Sequence, residues 1–200
     1  MTASTASIPP SDDAEARRYS GVAMALHGLI ALGIVAQIGL GWYMGTLEGK
    51  AGKAVEAIHI PLGLTVLMLT VLRLAWRLIH RPPAMPAGLK SWEKHMAEAV
   101  HVLFYGLMLA IPLTGWFMES IGPRPLPFWA GTAFPHFPGV SAIIAGQNKR
   151  EIKDTLEFVH GTPLVWATIA LVALHVVGAI KHQFDGNPVL YRMIPFFKRP

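Results

Sequence analysis

The sequence predicts an all-α membrane protein, a four-transmembrane-helix bundle. Four apolar runs, about 21–44, 57–78, 96–118 and 158–180, each reach the length of roughly 20 residues that a helix needs to cross hydrocarbon. The composition agrees, because the mean hydropathy is +0.42 and only 14% of the residues are charged, which lies outside the usual balance of a soluble domain. We therefore expect residues 17–200 to form a single domain that lies in the lipid bilayer.

The segments outside these runs predict a tail and a cap. Residues 1–16 carry almost no bulky apolar side chain, so we predict a disordered cytoplasmic tail. The first run follows Arg17 and Arg18 and is too long for a signal peptide, so it is expected in the mature protein. The third loop, about 119–156, mixes prolines with aromatic side chains and predicts an interfacial cap that turns helical after Ser141.

Glycine and proline positions predict local features of the helices. Pro61 and Pro163 are expected near the starts of their helices, where a missing N–H costs least, and Pro112 lies deep enough to kink the third helix. Four glycines of the first run are expected to mark close helix contacts: Gly28, Gly33, Gly39 and Gly41.

Charge placement predicts the topology. If the N-terminus is cytoplasmic, 11 of the 17 Lys and Arg residues fall on the cytoplasmic side, so the positive-inside rule places both termini there. The basic residues lie between the apolar runs instead of forming one patch, which argues against nucleic acid as a partner.

Histidines are the candidate ligands, because the chain has nine of them and no cysteine. In the predicted topology His27 and His175 lie near the cytoplasmic ends of the first and fourth helices. His59 and His160 lie near the outer starts of the second and fourth. Ionisable side chains within membrane helices are costly and usually mark function. Two histidine pairs are therefore predicted, one near each face.

Two imidazoles facing each other across a bundle suit bis-His ligation of haem iron. Other interpretations stay open at this point. A lone membrane histidine is often a hydrogen bond between helices. Zinc usually requires about four clustered ligands, and a proton relay is expected to include buried carboxylates.

The chain resembles the bacterial cytochrome b561 family from about Arg18 to Arg199. The resemblance rests on several short motifs in addition to the four paired histidines. They are Arg18-Tyr19-Ser20, Glu56-Ala57-Ile58-His59, Arg73-Leu74-Ala75-Trp76-Arg77, Glu98-Ala99-Val100-His101 with Tyr105, Ile111-Pro112-Leu113-Thr114-Gly115, His182, and the closing Leu190-Tyr191-Arg192-Met193-Ile194-Pro195.

The resemblance implies two haem b groups with bis-His iron in a multi-pass protein of the bacterial inner membrane. His27 and His175 would hold the cytoplasmic haem, and His59 and His160 the outer haem. His101 is the main rival to His27, because it lies at about the same depth. The candidates for a quinone site are His182, His101 and Arg73, near the cytoplasmic ends of three helices.

The resemblance also implies transmembrane electron transfer in a respiratory chain. The expected reaction is a superoxide:ubiquinone oxidoreductase, which oxidises superoxide to dioxygen at the outer face and reduces ubiquinone. Outer cations could steer superoxide, although ordinary solvated loop charges explain them as well: Lys50, Lys53, Lys149, Arg150 and Lys153. The alternative is an electron carrier or membrane anchor for a partner dehydrogenase or hydrogenase, docked on Phe128, Trp129 and Phe134.

Overall fold

The protein is a bundle of long helices. The computed structural model describes residues 18–86 and 88–197, so the predicted tail, 1–16, lies outside the described residues. Within them, four segments are long and apolar enough to cross a membrane, and the predicted fold class is confirmed. Their helices are α1 (Gly21–Met44), α2 (Gly49–Ile79), α3 (Ser91–Ser120), and the pair α5 (Lys149–Gly161) and α6 (Pro163–Phe184).

The four spans alternate in direction, so the bundle has two distinct ends. At one end the Tyr19 amide donates to the Arg192 carbonyl, 3.1 Å away, and the Lys181 ammonium lies 2.7 Å from the Glu93 carboxylate. We call it the termini end; it comprises residues 18–23, 73–84, 90–101 and 175–197. The opposite end carries the long third loop, the α1–α2 turn and α5, and we call it the loop end.

Some helices extend beyond the apolar runs that predicted them. Helix α1 has the predicted bounds, with the Ser20 hydroxyl accepting the Ala23 amide at 3.3 Å as its N-terminal cap. Helix α2 begins at Gly49 instead of about 57, because the Lys- and Ala-containing turn before the apolar run remains helical outside hydrocarbon. Pro61 therefore lies inside α2, and its predicted place near the helix start is wrong.

The fourth span is broken. Helix α5 ends at Gly161, Thr162 has φ −120° and ψ −82°, and Pro163 is the first residue of α6. A proline has no amide to bond to the preceding turn and disfavours helical geometry in the residue before it. As predicted, Pro163 opens a helix, but a second helix precedes it, so His160 and His175 lie on different helices.

The glycines of α1 differ in their surroundings. A Cβ at Gly33 would lie 2.6 Å from the Val66 side chain, and one at Gly41 would lie 3.8 Å from the His59 ring. These two positions are close contacts with α2, as predicted. The prediction is wrong at Gly28 and Gly39, where such a Cβ would meet nothing within 4 Å.

The third loop folds against the bundle. It forms a small antiparallel hairpin, β1 (Leu126–Pro127) and β2 (Ala133–Phe134), in which Leu126 pairs with Phe134. Leu126 is only 2% exposed, and the Trp129 indole at the hairpin turn donates to the Thr65 hydroxyl on α2 at 2.8 Å. A 3-10 helix, Trp129–Gly131, connects the two strands, and two short α-helices complete the described chain, α4 (Val140–Ile143) after the hairpin and α7 (Leu190–Met193) after α6.

Candidate functional site

At the loop end two imidazoles face each other across the bundle. His59 on α2 and His160 on α5 have ring centroids 6.2 Å apart and ring planes at 74°. The Nδ1 atom of His59 is buried and has no hydrogen-bond partner among the described residues. A buried imidazole nitrogen without a protein partner is costly, so it suggests a partner that is not protein.

The motif 111–115 of α3 holds the His160 ring. Its Nδ1 lies 2.9 Å from the Ile111 carbonyl and 3.1 Å from the Thr114 hydroxyl. Since a carbonyl only accepts, Nδ1 carries the proton, and Nε2 keeps its lone pair for a ligand bond. Gly115 completes the cradle, because a Cβ there would lie 3.1 Å from the ring carbon Cε1.

At the termini end three imidazoles meet. The centroids of His27 on α1 and His175 on α6 are 6.1 Å apart, nearly the separation of the loop-end pair. His101 on α3 is as near, with its centroid 5.6 Å from that of His175. The sequence-based rival of His27 is therefore a neighbour of the same site, and distance alone does not choose between them.

The two sites lie at different depths. Gln37, ten residues after His27 on α1, donates to the His59 carbonyl at 2.8 Å. Ten residues of helix rise about 15 Å, so His27 and His59 lie roughly that far apart along the bundle. At the other end Arg73 donates to the Ala23 carbonyl at 2.9 Å. Arg73 is 14 residues from His59, and Ala23 is four residues from His27, so this second route gives about the same depth difference.

The three predicted quinone-site residues are not all in one cavity. Arg73 lines a cavity of about 510 Å³ at the termini end, together with Arg77 and Tyr105. Neither His101 nor His182 is among the residues described as lining it. The Nδ1 atom of His182 is buried without a hydrogen-bond partner in the described part of the chain.

The paired imidazoles fit a metal ion whose remaining ligands come from a cofactor and not from the protein. Two metal–nitrogen bonds of about 2.0 Å each, together with the two ring radii, separate the centroids of imidazoles on opposite sides of one ion by about 6 Å. Both pairs have this separation. Among residues 18–86 and 88–197, no group of three or more His, Cys, Asp or Glu is placed to hold a metal ion. Haem iron needs only two axial protein ligands, so the residues present fit haem.

Comparison with known proteins agrees with this fit. The family model described as prokaryotic cytochrome b561 matches residues 18–196. The chain belongs to this family. Cytochrome b561 homolog 2 of Escherichia coli K12 is 28% identical over 181 residues, which cover 88% of this chain and 91% of the relative. Cytochrome b561 homolog 1 of the same organism is 24% identical over 185 residues, 89% and 97% of the two chains.

Membership in the cytochrome b561 family makes this chain a membrane electron-transfer protein with b-type haem. The sequence-based assignment to this family is confirmed. Sequence reasoning did not identify the Ile111 carbonyl, Thr114 and Gly115 as neighbours of His160. The signal was present, because the motif that contains them is one of those on which the family resemblance rests.

Proposed function

We propose that this cytochrome b561 carries electrons across the membrane between two haem b groups. His59 and His160 would hold one at the loop end, and His27 and His175 the other at the termini end. The observation that carries this proposal is the pair of matched imidazole separations, 6.2 Å and 6.1 Å, at two depths of one bundle. Haem b with two histidine ligands supplies one-electron transfer, since no axial position is left for another molecule.

The chain's own residues support the cofactors in two ways. The Ile111 carbonyl fixes the tautomer and orientation of His160, so Nε2 keeps its lone pair for a ligand bond. Glycines leave room next to the loop-end pair, with a Cβ at Gly41 lying 3.8 Å from His59 and one at Gly115 lying 3.1 Å from His160.

The proposed orientation is that of a bacterial inner-membrane protein with the termini end in the cytoplasm. Among the described residues the termini end holds eight Lys and Arg and the loop end six, which follows the positive-inside rule. Superoxide would then be oxidised at the loop end and ubiquinone reduced at the termini end. Two superoxide anions each lose one electron and become two dioxygen molecules. The quinone gains two electrons and two protons and becomes the quinol.

Exposed lysines at the loop end support superoxide as the electron donor. Lys50, Lys53 and Lys149 are exposed and have no ion-pair partner among the described residues. Arg150 and Lys153 are paired, with Asp154 at 3.8 Å and with Glu119 at 3.5 Å. Unpaired cations near the entry to a redox site attract an anion, so the three lysines would raise the local concentration of superoxide.

For the quinone site, His101 and His182 are the proposed ligands of the headgroup, with Arg73 nearby. The buried Nδ1 of His182, which lacks a partner in the described chain, is a polar atom available to a carbonyl oxygen. His101 would take this part if His27 is the haem ligand, since His101 lies against His175. An electron acceptor there would be next to the termini-end haem.

A visible absorption spectrum of the purified protein tests the haem assignment. We expect two low-spin b-type signals, one lost in His27→Ala and the other in His59→Ala. A single signal that survives both substitutions contradicts the pairing, and colourless protein contradicts haem binding altogether.

Turnover in vesicles that contain ubiquinone tests the donor. Superoxide generated on the loop-end side is expected to yield quinol faster with wild type than with His59→Ala. Lys50→Gln with Lys53→Gln should slow the reaction, whereas the matched pair Lys90→Gln with Lys94→Gln at the termini end should not. Equal rates for wild type and His59→Ala would refute superoxide oxidation.

Charge balance at the loop end favours a second candidate, an electron carrier or anchor for a partner protein. The described loop end carries equal numbers of basic and acidic side chains: Lys50, Lys53, Arg124, Lys149, Arg150 and Lys153 against Glu48, Glu56, Glu119, Glu151, Asp154 and Glu157. Mixed charges of this kind suit complementary docking of a protein. Extraction in a mild detergent that yields only this chain would count against the second candidate.

A further inference from the structure

The termini end contains a cavity in which Arg73 is the one lining residue that has a role in the proposed electron transfer, among the residues described. It measures about 510 Å³ and lies where the start of α1, the end of α2 and the following segment meet α3. Among the described residues, the lining includes four arginines, Arg18, Arg73, Arg77 and Arg81, and no Asp or Glu. A cavity with this lining favours an anionic ligand.

These four guanidinium groups have no carboxylate partner in the described parts of the chain. The described acids at the termini end are Glu93, Glu98 and Asp185. Lys181 contacts two of them, with its ammonium 2.7 Å from Glu93 and 2.8 Å from Asp185. The positive charge around the cavity is therefore not neutralised by this network.

Backbone contacts hold two of the arginines in place. Arg73 donates to the Ala23 carbonyl at 2.9 Å. Arg18 donates through Nε to the Tyr191 carbonyl at 2.8 Å and through Nη2 to the Ile194 carbonyl at 2.9 Å. Carbonyl oxygens orient a guanidinium without cancelling its charge, so the cost of ordering these side chains is already met before an anion binds.

The arginines differ in their distance from the haem site. Arg73 contacts α1 one turn from His27, which suits the carboxylates at the edge of a haem. Arg77 lies one turn further along α2, and Arg81 lies beyond its last residue, Ile79. Because a turn rises about 5.4 Å, Arg77 and Arg81 lie progressively farther from the haem site and nearer the membrane surface. An anion other than the haem carboxylates would therefore have to balance their charge.

Aromatic and apolar neighbours place the opening of this cavity, which we call its mouth, at the level of lipid headgroups. Trp76 stacks there on His80 with centroids 3.8 Å apart, and tryptophan is enriched at the membrane interface. Next to the arginines, Val22, Leu78 and Ile79 are 44%, 79% and 76% exposed. The cationic mouth therefore adjoins an apolar surface, which matches a molecule with an anionic head and hydrocarbon chains.

We propose that Arg18, Arg77 and Arg81 bind the phosphate of an anionic phospholipid whose acyl chains lie along Leu78 and Ile79. A neutral quinone headgroup would leave the cations uncompensated, and free phosphate would leave the apolar flank uncovered. Basic pockets at the ends of membrane helices are suited to such headgroups. The site is independent of the proposed electron transfer, because lipid binding is measured without turnover.

Native mass spectrometry of the haem-loaded full chain tests this site. Phosphatidylglycerol and phosphatidylcholine with identical acyl chains are titrated, and we expect phosphatidylglycerol to be retained at least about tenfold more strongly. Arg77→Gln with Arg81→Gln should weaken its retention by about fivefold for each guanidinium removed. The matched control, Arg124→Gln with Arg150→Gln, removes two charges at the loop end and should bind as wild type does.

Equal retention of the two lipids by wild type would overturn the proposal, and this comparison needs no variant to fold. Equal loss in the double variant and in its control would overturn the assignment to Arg77 and Arg81, with the haem spectrum as the check on folding. Displacement of phosphatidylglycerol by an equal concentration of inorganic phosphate would show a site for free phosphate and not for a lipid.

Discussion

Gly115→Ala adds a single methyl group in the cradle of His160. The new Cβ would lie 3.1 Å from Cε1 and 3.5 Å from Nδ1 of the ring. The 3.1 Å contact is closer than an ordinary van der Waals contact, so the ring must move by a few tenths of an ångström. Its Nδ1 is held 2.9 Å from the Ile111 carbonyl, so that movement strains the hydrogen bond that orients the ring.

The size of the effect follows from two opposing terms. Alanine in place of glycine inside a helix contributes about 1 kcal/mol of stability. Loss of a hydrogen bond that orients a metal ligand typically lowers metal affinity by about 10- to 100-fold. We therefore expect Gly115→Ala to fold as well as wild type while it binds the loop-end haem about 10- to 100-fold more weakly. The termini-end haem should be unchanged.

Gly106→Ala is the matched control. It lies on the same helix, and a Cβ there would meet nothing within 4 Å. Haem titration of both variants, followed by the visible spectrum, measures the affinity of each site. If Gly115→Ala and Gly106→Ala bind both haems with equal affinity, the role given to the 111–115 cradle is wrong.

Two further predictions concern other parts of the bundle. If His27 is the ligand opposite His175, His101→Ala should keep both haem signals and weaken quinone reduction; loss of a signal would make His101 the ligand. Gly33→Ala places a Cβ 2.6 Å from the Val66 side chain, and overpacking of this kind costs about 1–3 kcal/mol. We expect a lower temperature of haem loss, restored when Val66→Ala is added. Gly39→Ala, with open space around it, should not lower that temperature.

Hydropathy located the spans but not the full helices. It found the bounds of α1, because α1 is apolar over its whole length. It missed the first turns of α2 and α3, 49–56 and 91–95, since these continue the helix with polar side chains. The break at Thr162 was also missed, although Pro163 was visible in the sequence. Hydropathy does not distinguish a continuous helix from two helices joined within one span.

Depth along the helices predicted which histidines meet. Counting residues from each helix end pairs His27 with His175 and His59 with His160, whose ring centroids lie 6.1 Å and 6.2 Å apart. The same count puts His101 at the depth of His27, and its ring lies 5.6 Å from that of His175. The contact between the Ile111 carbonyl and His160 could not be counted in this way. It depends on the rotation of α3 against α5, which a depth count does not contain.

The two ends of the bundle differ in net charge, and this makes their expected salt dependence different. Among the described residues the loop end has as many acids as bases, whereas the termini end has eight basic and three acidic side chains. Attraction of superoxide by Lys50 and Lys53 would then act only locally, within a screening length of about 8 Å at physiological salt. Arg18, Arg77 and Arg81 line one cavity and have no carboxylate partner among the described residues, so they present a larger local charge. Added salt should therefore weaken anionic lipid binding strongly and superoxide turnover only slightly, and the reverse order would contradict both assignments.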